Sequence, residues 1–169
     1  MPAPYSAASI ANLFLQKSVA DHIPIDPMKL QKLAYFAHGY YLALTQKRLG
    51  QATPLVDEFF EAWRWGPVLP SVYHKFKEFG SDPITTMAME FQNEFGTFVV
   101  APPPDNDERL DRVSSFVWDK YARQHSLSLS NLTHKADGAW DKARLAAAGL
   151  KGKDISNDDI AADFLPYVT

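Results

Sequence analysis

The chain contains no cysteine. Disulfide bonds, thiol nucleophiles and cysteine-ligated metals are therefore excluded, and a reducing compartment such as the cytoplasm is expected. No run approaches the ~18 apolar residues of a membrane-spanning helix. The longest apolar segment, Leu33–Leu44, is interrupted by His38 and Gly39. Met1–Ser6 has no basic character, and no small-residue cleavage site follows an apolar stretch, so neither a signal peptide nor a membrane partner is expected. An excess of positive charge is also missing. Net charge is −3 and the isoelectric point about 5.9, which argues against nucleic acid as the main partner, since dedicated binders are basic overall.

Sequence patterns for chemistry are absent too. No G-x-x-x-x-G-K-[ST], G-x-G-x-x-G or G-x-S-x-G occurs. The five histidines, His22, His38, His74, His125 and His134, form no H-E-x-x-H and no i, i+4 pair. His38 reads as a hydrogen-bonded structural residue. Asp57, Glu58 and Glu61 read as a solvated acidic face rather than an acid/base pair. No catalytic residue, metal ligand or cofactor site is expected, and the chain reads as a non-enzyme. A hydrolase built on His38 or His134 is the weakest reading.

What the chain does have is aromatic content: eleven Phe, seven Tyr and four Trp among 169 residues. That length most simply makes one domain, 1–169, able to bury about 70% of its unfolded surface without staples. The main break, the Pro-rich connector "APPPDNDE" near 101–106, lies inside it.

Helices are expected at 7–19, with Ser6 or Ser9 as cap and Ile10, Leu13, Phe14 and Val19 inward. The clearest element is a helix over about 27–47. Asp26 caps it, Pro27 occupies its first position and Gly50 stops it. Leu30, Leu33, Ala34, Ala37, Tyr41 and Leu44 form its buried stripe; Lys29, Gln31 and Lys32 fall on the opposite face, which turns aromatic at Phe36 and Tyr40. Pro70 and Ser71 open another helix, with Val72, Tyr73, Phe76 and Phe79 inward and Gly80 closing it. "ITTMAMEF" and "GTFVV" around "QNEFG" read as a β-hairpin, which must pack on helices to persist. A helix over about 106–124 is expected behind Asp105 or Asn106, with Leu110, Val113, Phe116, Val117 and Tyr121 inward. Shorter helices follow, behind Ser128 or Ser130, in "GAWDKARLAAAG" up to Gly149, and behind Ser156 or Asn157. The expected fold is mainly α, a compact single-domain helical arrangement around a central helix at about 27–47, with a small β-hairpin.

"EAWRWGPVLPSVY" (Glu61–Tyr73) is the densest stretch. "LVDEFFEAWRW" before the glycine admits both a helical and an extended reading. If extended, Trp63 and Trp65 point one way and Arg64 the other. Gly66-Pro67 then makes a stiff corner. Trp, Tyr and Arg anchor interfaces more often than other residues, and rigid aromatic corners also fix helix crossings; both roles stay open on the residues alone. Basic residues gather at Lys75–Lys77 and at Lys142, Arg144, Lys151 and Lys153, a solvated face in the ordinary reading.

"MKLQKLAYFAHGYYLAL" (Met28–Leu44) followed by "PLVDEFFEAWRWGPVLPSVYHKFKEFG" (Pro54–Gly80) resembles the Panacea domain of SocA-like antitoxins, a family related to phage-associated (prophage) GepA-type proteins. Lys29, Leu30, Gln31, Lys32, Leu33, Tyr35 and Phe36 match its K-L-Q-K-L-x-Y-F helix. Glu61, Ala62, Trp65, Gly66, Pro67, Val68, Pro70, Val72 and Tyr73 match its G-P-V-x-P-x-V-Y corner, with Trp65 where tyrosine is common. Leu132–His134 with Trp140 resembles the later L-T-H…W element; residues 84–127 match nothing. The resemblance implies an antitoxin that neutralises a cognate protein toxin by direct binding. Delivery of the toxin to a AAA+ protease, or DNA-binding regulation of its own operon, are the implied alternatives. Tyr35, Tyr40, Trp63, Arg64, Trp65 and Tyr73 are the candidates for the partner surface or its frame. Lys29, Leu30, Gln31, Leu33, Gly66, Pro67, Pro70, His134 and Trp140 are the structural motif.

Overall fold

The computed structural model describes residues 2–148 and 152–169. The fold is mainly α, with two small antiparallel hairpins. Helix α1 spans Ala7–Asp21, and the Ser6 hydroxyl caps it by accepting from the Ser9 amide. Helix α2 spans Pro27–Leu49; the Asp26 carboxylate accepts from the Lys29 amide at 2.8 Å, and Gly50 ends the helix at φ 74°. Strands β1 (Glu61–Trp63) and β2 (Gly66–Val68) pair with Trp63 opposite Gly66. Helix α3 (Pro70–Phe76) follows and tightens into a 3-10 turn over Lys77–Phe79. The second hairpin is β3 (Met89–Gln92) with β4 (Thr97–Val100). Helices α4 (Glu108–Tyr121), α5 (Ser126–Leu132), α6 (Ala139–Ala146) and α7 (Asn157–Phe164) complete the order.

Helix α2 packs against α1, α3, α4, α5 and α7 and against β2. Fifteen of its residues are buried, Leu30 through Ala43 without a break and then Thr45. The burial extends well beyond the apolar stripe, over most sides of the helix. Lys32 and Gln31 do not face water but point inward, and so do Tyr35, Phe36 and Tyr40. Phe164 of α7 sits among them, edge-on to Tyr35 and Tyr40 at 5.8 and 4.9 Å. It is seated on Gly39, where a Cβ would overlap its ring. Gly39→Ala is expected to cost about 1–2 kcal/mol in urea unfolding: overpacking of about 1–3 kcal/mol exceeds the helix-propensity gain of under ~1 kcal/mol.

His38 is fully buried. Its Nε2 pairs with Asn157 Oδ1 at 2.8 Å, while Nδ1 faces the Val56 amide at 3.4 Å. This is a histidine serving structure, with burial holding its pKa down to about 4 against the opposing Asn157 bond.

The segment before the Gly66-Pro67 corner is not helical, because its backbone bonds go to distant chain. Tyr5 and Asp57 amides bond to Leu55 and Tyr5 carbonyls; Ala62 and Ile155 amides bond to Lys153 and Phe60 carbonyls. β1 thus lies between β2 and residues 153–155.

Several expected positions shift. Val19, Tyr73 and Phe116 are exposed rather than inward. Asp107, not Asp105 or Asn106, caps α4. It accepts from the Leu110 amide and also from the Tyr5 and Tyr41 hydroxyls at 2.8 and 2.9 Å, while Asn106 takes a turn conformation at φ 57°. His125 caps α5 through Nδ1, so the helix starts before Ser128 and Ser130. Ser156 caps α7. The expected stop at Gly149 lies outside the described residues. Among the described residues, no helix is long and apolar enough to cross a membrane, and no group of three or more His, Asp or Glu residues could hold a metal ion.

Candidate functional site

The corner is built from the backbone outward. β1 and β2 are joined by Arg64-Trp65, and Gly66 follows at φ 113°, a value that L side chains rarely adopt. A Cβ there would meet Thr133 Oγ1 at 2.6 Å and Lys32 Cε at 2.9 Å. Glycine is needed both for the turn and for this close approach.

The corner's carbonyls are held from behind by side chains of three helices. Lys32 donates to the Pro67 carbonyl at 2.9 Å. Gln31 pairs with both backbone groups of Leu69, accepting from its amide at 2.8 Å and donating to its carbonyl at 3.1 Å. Trp140 Nε1 donates to the Trp63 carbonyl at 2.7 Å, the Ser130 hydroxyl donates to the Trp65 carbonyl, and Arg144 reaches the Ala62 carbonyl at 3.5 Å. His134 stacks on Trp140 with centroids 3.9 Å apart. Burial, followed by the charges of Lys32 and Arg144, lowers its pKa. The three segments of sequence quoted above therefore meet in one place: the α2 motif and the L-T-H…W element clamp the G-P-V corner. Lys29 bonds elsewhere, to the Ala122 carbonyl at 2.8 Å. Leu30 and Leu33 are core, and Pro70 is the first residue of α3.

In front of the corner lies a cleft of about 790 Å³. Trp63, Arg64, Trp65 and Tyr73 line it together with Arg144 and Glu61. Trp63 donates from Nε1 to Glu61 at 2.6 Å and meets Tyr73 edge-on at 4.8 Å. The Arg64 guanidinium lies over the Trp65 ring at 4.9 Å. Trp63 and Trp65 do not point opposite to Arg64, because the strand ends at Trp63 and Arg64-Trp65 form the turn; all three side chains reach one cleft. Trp65 is 52% exposed and Tyr73 and Arg64 are exposed as well. Tyr35 and Tyr40 are buried, so of the six candidates these two belong to the core, while Trp63, Arg64, Trp65 and Tyr73 line the cleft.

Arg144 reads from sequence as part of a basic face, but the structure places it behind the corner. It turns inward, onto the Ala62 carbonyl and 5.9 Å from the Trp140 ring. Lys142 is paired with Asp159 at 3.8 Å, and Lys151 lies outside the described residues. No local spacing marks Arg144 as a corner residue, since its partner is 82 positions away. Lys32 carried a signal only through its place in the K-L-Q-K-L motif.

Comparison with known proteins agrees with this anatomy. Residues 30–141, which run from Leu30 in the α2 motif through the G-P-V corner to Trp140 of the L-T-H…W element, match the family model "Antitoxin SocA-like, Panacea domain". The curated protein "Antitoxin SocA" of Caulobacter vibrioides (strain NA1000 / CB15N) is 38% identical over 143 residues, covering 83% of this chain and 71% of that protein. No solved structure matches. With its α2 motif, its G-P-V corner and its L-T-H…W clamp assembled in one site, the chain belongs to the SocA-like antitoxin family of Panacea-domain proteins.

Proposed function

We propose that this protein is an antitoxin that neutralises a cognate protein toxin by binding it directly, without enzyme chemistry, and that the cleft at the Gly66-Pro67 corner is the contact surface. The observation that carries this reading is an exposed Trp65–Arg64–Tyr73 cluster on a backbone fixed by five side chains. Trp, Tyr and Arg dominate binding energy in interfaces. A pre-fixed backbone loses little conformational entropy on association, so more of the contact energy appears as affinity. The chain acts as a single module over 1–169, and the cytoplasm, where a toxin would be made, is its place of action. The name of the Caulobacter relative supports the antitoxin role.

Expression of the neighbouring open reading frame alone, and then with this protein, tests the role by growth. Toxicity with rescue supports it; a harmless neighbour, or toxicity without rescue, sinks it. Arg64→Ala with Trp65→Ala is then expected to weaken toxin binding at least ~30-fold, the ~2 kcal/mol of a truncated anchor, with unchanged melting. Full affinity in that variant removes the cleft from the interface while leaving the antitoxin role standing. A toxin lifetime shortened by this protein replaces plain inhibition with delivery to a protease such as a AAA+ enzyme.

A further inference from the structure

The β3–β4 hairpin has its polarity reversed. Its register pairs Met89 with Val100 and Phe91 with Phe98, which places these four side chains on one face. That face is turned to solvent. With Phe95 in the connecting turn, the five residues are between 41% and 65% exposed. The opposite face carries Glu90, Gln92 and Val99, all half-buried, with Thr97 exposed near the turn. The Ser6 hydroxyl donates to Glu90 at 2.8 Å and the Gln92 amide donates to the other Glu90 oxygen at 2.9 Å. A two-stranded sheet with one wet face ordinarily keeps its polar residues on that face. Here the carboxylate points at the protein and the phenyl rings point at water.

The orientation is pinned. Asn12 is fully buried; its Nδ2 donates to the Ala88 and Ala101 carbonyls at 3.0 and 2.8 Å, and its Oδ1 accepts from the Ala88 amide at 2.7 Å. Lys75 donates to the Met89 carbonyl at 2.6 Å. Turning the hairpin over would break the three bonds of the buried Asn12 amide to Ala88 and Ala101 and leave it without partners, which costs more than the bonds themselves contribute. The outward apolar face is therefore specified by the fold.

We infer that this face binds the same face of a second copy of the chain. Five half-exposed side chains, the aromatic ones near 200 Å² each, present roughly 500 Å² of apolar surface. A patch of that size is at the upper end of what monomers expose, where such patches are often functional, and here the fold holds it outward. Two such faces bury about 1,000 Å², the threshold of a specific interface, and correspond to a reversible dimer. The face is uncharged and matches itself, as a twofold interface requires. The charges at its ends choose the arrangement. Glu94 lies in the turn and Lys75 at the hairpin root, where it holds Met89. A twofold axis lying across the strands sets each Glu94 beside the partner's root and its lysine. An axis along the strands would instead bring the two glutamates together.

Sedimentation velocity from low micromolar to several hundred micromolar protein tests this without any toxin. A reversible monomer–dimer equilibrium is expected, weakened at least tenfold by Phe91→Glu or Phe98→Glu. Both positions are exposed, and unchanged circular dichroism and melting would show that the variants fold. Glu94→Lys is expected to weaken the dimer, because the crosswise arrangement sets the new lysine beside Lys75 of the second copy; an axis along the strands would only replace two facing glutamates by two facing lysines and leave the dimer constant unchanged. A chain that stays monomeric throughout, or a dimer indifferent to Phe91→Glu, overturns the inference. So does a monomeric chain whose Phe91→Glu variant loses toxin binding, which would assign the face to the toxin.

Discussion

Stability of the wild-type protein is expected to rise between pH 7 and pH 10, and Lys32→Met is expected to remove most of that rise. Lys32 is 1% exposed, and burial alone pulls its pKa down to about 7. Its one partner is the Pro67 carbonyl, with no carboxylate among the described residues to support the ammonium. In the unfolded chain the same group titrates near its ordinary value of about 10.4. Between those limits the unfolded state binds the extra proton, so deprotonation favours folding. The slope approaches ~1.4 kcal/mol per pH unit, and the whole window is worth on the order of 4 kcal/mol. Lys29 is also lowered by burial, with Asp26 opposing; it contributes in the same direction and leaves a small residual slope in the variant. Above pH 10 the trend reverses, because burial holds the Tyr5, Tyr35, Tyr41 and Tyr121 hydroxyls above their ordinary value and the unfolded chain ionises them first. Toward acid, His38 acts with the sign of Lys32, and stability falls between pH 6.5 and 4.

Methionine is similar in volume to lysine but cannot donate, so Pro67 loses a bond worth about 1–3 kcal/mol when its carbonyl is left buried. At pH 7 the relieved ionisation cost is larger than this loss; at pH 10 it has vanished. The two curves of unfolding free energy against pH, from urea titrations, are therefore expected to cross, with Lys32→Met more stable at pH 7 and less stable at pH 10. Parallel curves would mean that Lys32 is not desolvated in the folded state.

That lysine also shows where sequence reading stops. Helix α2 was legible because its signals are local: Asp26 and Pro27 begin it, and Gly50 ends it in the left-handed conformation. The β3–β4 hairpin was legible from its two β-rich runs and the turn between them. The inward turn of Gln31 and Lys32 was not. Polar side chains opposite an apolar stripe look solvated, and the backbone groups that receive these two lie 38 and 35 positions on. Tyr35 and Tyr40 likewise looked available for a partner, until Phe164 and Tyr121 closed over them from the far end of the chain. Alternation in β3 and β4 shows which residues share a face, but which face meets water is decided by Asn12, Ser6 and Lys75. At the site, residue types were readable and geometry was not. Trp63, Arg64, Trp65 and Tyr73 carried the composition of an interface, yet the turn at Arg64-Trp65 had to be seen before they could be placed in one cleft.

Gly66→Ala is expected to produce the second large effect, a loss of about 3–5 kcal/mol in unfolding free energy. Two causes act together. The backbone at φ 113° is strained for any L side chain, which costs about 1–3 kcal/mol. The new methyl would also lie 2.6 Å from Thr133 Oγ1 and 2.9 Å from Lys32 Cε, and such overpacking adds about 1–3 kcal/mol. Neither neighbour can move freely, since Thr133 Oγ1 donates to the Ser130 carbonyl at 2.6 Å and Lys32 is tied to Pro67. Against a usual total of 5–15 kcal/mol this is a large fraction, and a domain of this size would melt roughly 10 °C lower. Gly50→Ala is the control. Gly50 also has positive φ, at 74°, but a Cβ there meets nothing within 4 Å, so only the backbone cost of about 1 kcal/mol remains. The difference between the two variants measures the clash itself. Thr133→Ala in the Gly66→Ala background removes the nearer obstacle and should recover part of the loss, and a positive coupling in that double-mutant cycle would locate the strain between the corner and the L-T-H segment. Equal melting of Gly66→Ala and Gly50→Ala would show that the clamp yields. The corner would then be a flexible turn, and its aromatic cluster could not derive affinity from a fixed backbone.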